Sequence, residues 1–478
     1  MNTGSPKLPV FEVLNPDEIE RIHEAALEVL WQVGVDFLHE EALALFRQAG
    51  AALGGTRVQI PLGLIKDVLG TTPASVTLYT RDGRPAVVLE GREVHFGAYP
   101  TNLYYYDRDT GDRRPSTRET IAEGARLCDY LPSIEWSAPL GTASDVPVPV
   151  ADRHQFHQAV INQRKPIYAS AYSPRGLADI IEMAAVIAGG KSALAQRPFF
   201  IAGINPTSPL RYSNESAGKL LVMAQAGLPL VLNSVPMSGA TAPSTMAATI
   251  VVALAEDLAG LALAQLKNPG VPVIVGGVLA PMDMRTSVIA LGGPELTLMM
   301  AGLAQMCRHY TVPSYGTAGC SNSKTVDPQA AIEATNSILG ALLAGSNLVH
   351  DVGLIDAGQT ISLEALVMGN EIIRIARRIA EGISVSRETL ACDLIKQVGP
   401  GGHFLGTDHT LRHFREYHRS ELIDRRRYDD WVRSGSKSMN DRLGEEVDRI
   451  LGLHHPQPLP PEVLRELRHM LRRFAADT

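Results

Sequence analysis

Residues 226–234 read AGLPLVLNS and residues 266–277 read LKNPGVPVIVGG. In each, a helical run gives way to glycine and proline, and a short β-rich run follows. Glycine supplies a left-handed helix cap, and proline cannot continue the helix. The unit recurs along the chain. Its β segments are VHFGA (94–98), IEWSA (134–138), PIYAS (166–170), FFIAG (199–203), PLVLNS (229–234), VPVIVGG (271–277), VPSYG (312–316) and NLVHD (347–351). Between them lie apolar-periodic stretches such as RETIAEGARLCDYL, PRGLADIIEMAAVIAG and ESAGKLLVMAQAG. Eight β segments, each followed by a helix at intervals of roughly 30–40 residues, predict an α/β fold of the (β/α)8 TIM-barrel type. An open doubly wound sheet is disfavoured, because no Gly-rich phosphate fingerprint follows the first strand.

Working outward, residues 1–93 read as an N-terminal α+β cap. Asn15-Pro16-Asp17 starts a helix with Ile19, Ile22, Ala26 and Leu30 at helical spacing. SVTLYT (75–80) and AVVLE (86–90), joined by RDG, read as paired strands. Residues 94–385 are the barrel. Residues 386–478, rich in Arg, His and Glu, read as a C-terminal helical extension.

The 478 residues are 45% hydrophobic and 20% charged, so the chain can bury a full core. Lys and Arg total 44 against 51 Asp and Glu, a net charge of −7 that does not suit a nucleic-acid partner. The four cysteines form no CxxC pair, fit a reducing compartment, and give no support to a structural metal site. The N-terminus lacks a signal-peptide layout, and a cytoplasmic protein is expected. The most apolar stretch, Met246 to Leu266, is long enough to span a bilayer, but Glu256 and Asp257 interrupt it; a buried helix is expected instead of a membrane span.

In a (β/α)8 barrel the chemistry sits at the C-terminal strand ends. These place Tyr99, Trp136, Tyr168, Asn205, Asn233, Tyr315, His350 and Asp351 as candidates. Aromatics are only 5% of the chain yet crowd these ends. Ring faces with few acids suit a quaternary ammonium, although strand alternation assigns about half of them to packing. With Asp351 the one acid at the mouth, a two-carboxylate glycosidase is disfavoured. The lack of lysine at a strand end argues against a Schiff-base aldolase. His350 ends the last strand. Asp351 follows it directly, so alternation points the two side chains to opposite faces. Cys320, without a base partner, reads as structural. His403, in GPGGHFL, lies in a Gly-rich loop read either as a lid over the mouth or as a simple turn.

The segments TGDRRPSTRETIAEGARLCDYLPSIE, PMSGATAP, LAQLKNPGVPVIVGG, AGLAQMCRHYTVPSYGTAGCSNSK, EALVMGNEIIRIARRIAEGI and GPGGHFLG run in order from about residue 90 to 435. Together they resemble the trimethylamine methyltransferase family of corrinoid-dependent amine methyltransferases. The resemblance implies a barrel that moves a methyl group from an amine to the Co(I) corrinoid of a separate protein. Archaeal members carry pyrrolysine. This chain has only standard residues and is similar to the non-pyrrolysine branch, which includes glycine betaine methyltransferases. In those enzymes a tyrosine after the first strand and a histidine ending the last contact the substrate, positions that fall on Tyr99 and His350.

The resemblance therefore implies a quaternary amine as substrate, a corrinoid protein as partner and a homo-oligomer. No metal and no cofactor is expected on this chain itself, since the corrinoid-holding DxHxxG motif is absent: Asp152-Arg153-His154 has no glycine three residues after the histidine, and Leu348 stands where His350–Gly353 would need aspartate. For a betaine, aromatic rings led by Tyr99, with Trp136, Tyr168 and Tyr315, are expected to hold the ammonium, and His350 with Asn205 the carboxylate. A barrel lyase or hydrolase and a non-catalytic betaine-binding protein are the alternatives that fold alone does not separate.

Overall fold

The computed structural model describes residues 9–98 and 102–476. Its centre is a ring of parallel strands: β1 (His95–Ala98), β2 (136–137), β3 (Ile167–Ala169), β4 (Phe200–Ile204), β5 (Leu230–Ser234), β6 (Val273–Gly277), β7 (Ser314–Thr317) and β8 (Leu348–Val352). Seven of them form one sheet from β3 through β8 and on to β1. β2 fills the gap by bridges from Gly97 to Trp136 and from Ser137 to Ile167, so the barrel closes. β3 to β8 are buried throughout, which explains the apolar runs of β3, β4 and β6; parallel strands covered by helices have no solvent face.

The outer helices are α1 (Arg118–Tyr130), α2 (Ala151–Asn162), α3 (Pro174–Ala188), α4 (Asn214–Ala226), α5 (Met246–Lys267), α6 (Pro294–His309), α7 (Pro328–Ala344) and α8 (Leu363–Ala380). Ser173, Ser213, Asp327 and Ser362 cap the starts of α3, α4, α7 and α8 with side-chain oxygens. Gly227 ends α4 at φ 68°, as AGLPLVL suggests. At NPG the stop differs. α5 ends before Asn268, which is extended at φ −149°, and Gly270 turns the chain two residues later at φ 86°. The residue before a proline is driven out of the helical region, so Pro269 sets this end.

α5 is the one helix among the described residues long and apolar enough to cross a membrane, but 72% of its apolar window is buried inside the fold. Its two acids are fully buried anchors. Glu256 accepts from Ser208 Oγ and Leu210 N, both at 2.9 Å, and Asp257 accepts from Ser234 Oγ at 2.6 Å. Residues 16–71 pack on α5 and share its apolar core. The hairpin Val76–Tyr79 with Pro85–Leu89 seals the N-terminal end of the barrel, where Val76, Leu78, Val87 and Leu89 meet the inward residues Ile201, Val231, Ile274 and Leu348. Of the C-terminal residues, helix Met439–Leu453 packs on α8 and α1, and helix Pro461–Ala476 on α3 and α2. The helices between residues 387 and 433 bury no residue.

Candidate active site

A cavity of about 210 Å³ opens at the C-terminal ends of the strands. Ser170 follows β3, Asn205 follows β4, Asn233 lies in β5, and His350 and Asp351 lie in β8. The wall between them is apolar: Val235, Val278, Ile289, Leu291 and Leu354. Ala357, Gly358 and Gln359 close one side. Among the described residues the lining carries one acid, Asp351, and no lysine or arginine.

His350 is fixed on both ring nitrogens. Nδ1 lies 2.5 Å from Asp351 Oδ1, and Nε2 lies 2.9 Å from Thr317 Oγ1, whose own proton goes to Gly277 O at 3.1 Å. Strand alternation would keep Asp351 on the opposite face. It does not, because Asp351 adopts φ 84° and the pairing of β8 with β1 shifts register between Val349 and Val352. The irregularity swings the carboxylate onto the imidazole. An ionic or acidic neighbour on Nδ1 orients the ring, as second partners of functional histidines do.

The aromatic candidates form a column instead of an open cage. Tyr315 stacks on His350 with centroids 4.3 Å apart and planes within 5°, and Tyr168 stacks on Tyr315 at 5.8 Å and 12°. Trp136 tilts against both tyrosines. Its Nε1 donates to His95 O at 3.1 Å, which ties it to the start of β1. Of these rings only Tyr168 and His350 line the cavity. Tyr315 has each face covered by a neighbour, and Trp136 is packing below it. Tyr168 reaches its place because Gly203 has no side chain; a Cβ there would come within 1.6 Å of the tyrosine oxygen.

Tyr99 lies outside the described residues. Asn205 lines the cavity, exposed at its mouth. His403 is exposed, and the structure does not bring it to the cavity lining. The extension around it is tied to the C-terminal half of α8, through Arg378 Nε to Glu416 O and His418 to Glu371. α8 runs away from the mouth: Arg377 at its end bonds Glu135 beside the start of β2. Cys320 is fully buried, and burial holds its thiol far above the range in which a thiolate forms.

The strand-end list missed Ser170 and Gln359, and it named Asn233 and Asp351 without a site role. Ile289 and Leu291 come from an insertion after β6 (Ala280–Asp283 paired with Val288–Ile289) that strand counting does not register.

The family model described as Trimethylamine methyltransferase (MTTB) matches residues 2–477. The chain belongs to this family. It is 34% identical over 457 residues to a trimethylamine methyltransferase of Desulfitobacterium hafniense, covering 95% of this chain and 92% of the relative. It is 33% identical over 464 residues to a glycine betaine methyltransferase from the same species, covering 96% of each. Among solved structures, the monomethylamine methyltransferase of Methanosarcina barkeri superposes with a TM-score of 0.52 at 13% identity, over 92% of this chain and 89% of that one. At that identity the likeness speaks for the fold, and it agrees with the closed barrel described above.

Proposed function

We propose that this methyltransferase-family protein moves a methyl group from a quaternary amine to the Co(I) corrinoid of a separate corrinoid protein. The observation that carries the proposal is the lining of the mouth cavity: neutral polar side chains, an apolar wall, and one imidazole–carboxylate pair, with no lysine, arginine or second acid among the described lining residues. The chemistry needs no more. As Co(I) attacks the methyl carbon in line, the carbon–nitrogen bond breaks and its electron pair stays on nitrogen. The positively charged ammonium leaves as a neutral tertiary amine, with no proton to supply, and the cobalt ends as methyl-Co(III). The protein's work is positioning: it holds the ammonium in the cavity and aims one methyl at the mouth, where the acceptor docks.

Membership of the family alongside a named glycine betaine methyltransferase supports a betaine-type quaternary amine as the first compound to test. In this proposal the corrinoid is carried by the partner, and the protein works in the cytoplasm as a homo-oligomer. The test is a panel of quaternary amines incubated with the purified protein and free cob(I)alamin, with methylcob(III)alamin read by absorbance. Formation with at least one compound is the expected result. No transfer from any member of the panel overturns the proposal. Corrinoid that co-purifies stoichiometrically with this chain alone overturns the two-protein arrangement.

A further inference from the structure

Resting on the quaternary-amine reading, we propose a narrower substrate class: a trimethylammonium compound whose only formal charge is the ammonium. Asp351, held by His350, is the counter-charge, and Asn233 receives a neutral hydrogen-bond donor on the tail, such as a hydroxyl.

The charge inventory carries the first half. Among the described lining residues, the acidic and basic side chains are Asp351 and His350 alone. With one proton on the imidazole the pair sums to −1; with two it sums to zero. Neither state makes the cavity positive. Tyr99, Pro100 and Thr101, which follow β1, bring no formal charge by their chemistry. Arg113, a cation near the rim, lies over the Tyr104 ring and is 2.7 Å from Asp356, a residue next to the lining. A substrate carboxylate would therefore be desolvated beside Asp351 with no cation of its own, which is costly. An ammonium meets the opposite situation. Because the stacked column presents only Tyr168 and His350 to the cavity, ring faces give it limited support, and the carboxylate supplies the remainder.

Asn233 carries the second half. It is 8% exposed, lines the cavity, and its Oδ1 is buried with no hydrogen-bond partner among the described residues. Buried polar atoms are nearly always bonded, so an orphan on a cavity-lining side chain marks where a ligand donor goes. The backbone agrees with a functional rim. Asp351, Asp356 and Ala357 all have left-handed φ, at 84°, 56° and 52°. Such conformations in non-glycine residues concentrate at ligand sites.

The experiment compares choline, glycine betaine and tetramethylammonium, each in methyl transfer to free cob(I)alamin and in ligand-induced shift of the melting temperature. Choline is expected to exceed glycine betaine by at least about tenfold in kcat/KM and to give the larger shift. Asn233→Ala is expected to cut the choline-to-tetramethylammonium ratio about tenfold, the loss of one well-placed hydrogen bond. Asp351→Asn, which the left-handed backbone tolerates, is expected to lower kcat/KM for choline and tetramethylammonium alike by about tenfold or more. Glycine betaine used or bound as well as choline overturns the narrowing while leaving the quaternary-amine reading intact. A melting shift that favours choline without any methyl transfer supports the site and defeats the reaction. No shift and no transfer with all three overturns both.

Discussion

The two ends of the barrel are made by the same eight strands, yet they are closed in opposite ways. At the N-terminal end a hairpin inserts Val76, Leu78, Val87 and Leu89 against inward aliphatic residues, and the space is dry and filled. At the C-terminal end loops leave a cavity edged by Ser170, Asn233, His350 and Asp351, with an amide oxygen that has no partner among the described residues. The Tyr168–Tyr315–His350 stack joins the two regions: Tyr168 and Tyr315 belong to the interior cluster that the plug completes, and Tyr168 and His350, the two ends of the stack, line the cavity. One end of this molecule is filled by apolar side chains, while the other presents polar side chains around a cavity. Substitutions at the plug should therefore act on stability, and substitutions at the mouth on turnover.

The largest expected effect is at the plug. Leu78 is fully buried in the interior cluster. Leu78→Ala should destabilise the fold by about 2–5 kcal/mol, the range for a large-to-small core change. Denaturant unfolding measures it, and kcat/KM per folded molecule should stay close to wild type. If Leu78→Ala instead changes the order of preferred substrates, the two ends are not separable. Next comes His350→Ala at the mouth. The variant frees Asp351 from its hydrogen-bond partner, a contact of about 1.5–3 kcal/mol, so kcat/KM should fall by about one to two orders of magnitude on every quaternary amine that the protein uses. Near-normal activity on all of them would remove His350 from the site.

This contrast also shows what could be read from sequence. The barrel strands were legible because runs such as PLVLNS and VPVIVGG are buried on all sides and bracketed by glycine and proline; even β2, which makes only isolated bridges, lies within IEWSA. His350, Asn205 and Tyr168 were legible because strand ends face the mouth in this architecture. Depth along a strand was not legible. Trp136 and Tyr315 point inward like Tyr168, but they sit below it, and only ring-on-ring packing shows that their faces are already used. The Asp351–His350 contact was hidden for another reason: alternation holds only for regular strands, and φ 84° breaks it. The short helices on either side of His403 have no buried apolar positions to fix their path, so the attachment of this stretch to α8 could not be inferred.

A third prediction uses Asp257, which links the mouth end of β5 to α5 through Ser234. Burial raises its carboxyl well above the ordinary value of 3.8. Above about pH 4 the unfolded chain has released this proton while the folded chain still holds it, so stability falls as pH climbs toward the folded-state value and levels off beyond it. Glu256, raised by burial too, acts in the same direction. Asp257→Asn removes the first contribution. The melting temperature of the variant should gain on wild type steadily between mildly acidic and alkaline pH. A constant difference across that range would mean that Asp257 does not retain its proton in the fold. The plug, which has no buried acid in its cluster, should show no such dependence when Leu78→Ala is compared with wild type in the same series.

The smallest effect expected is at Thr317, the residue that holds the far nitrogen of His350. Its hydroxyl sits between Gly277 O at 3.1 Å and His350 Nε2 at 2.9 Å, and it is almost fully buried. Thr317→Val keeps the shape and removes both hydrogen bonds. A net bond of this kind contributes about 0.5–1.5 kcal/mol, so kcat/KM should drop by about two- to tenfold. Because Asp351 still grips Nδ1, the ring should keep its plane against Tyr315 and the loss should stay below that of His350→Ala. Thr317→Ser restores the hydroxyl and should recover most of the activity, although it leaves a methyl-sized gap. Recovery by serine but not by valine assigns the effect to the hydrogen bond. Equal losses in both variants would assign it to packing, and Thr317 would then belong with the plug and not with the mouth.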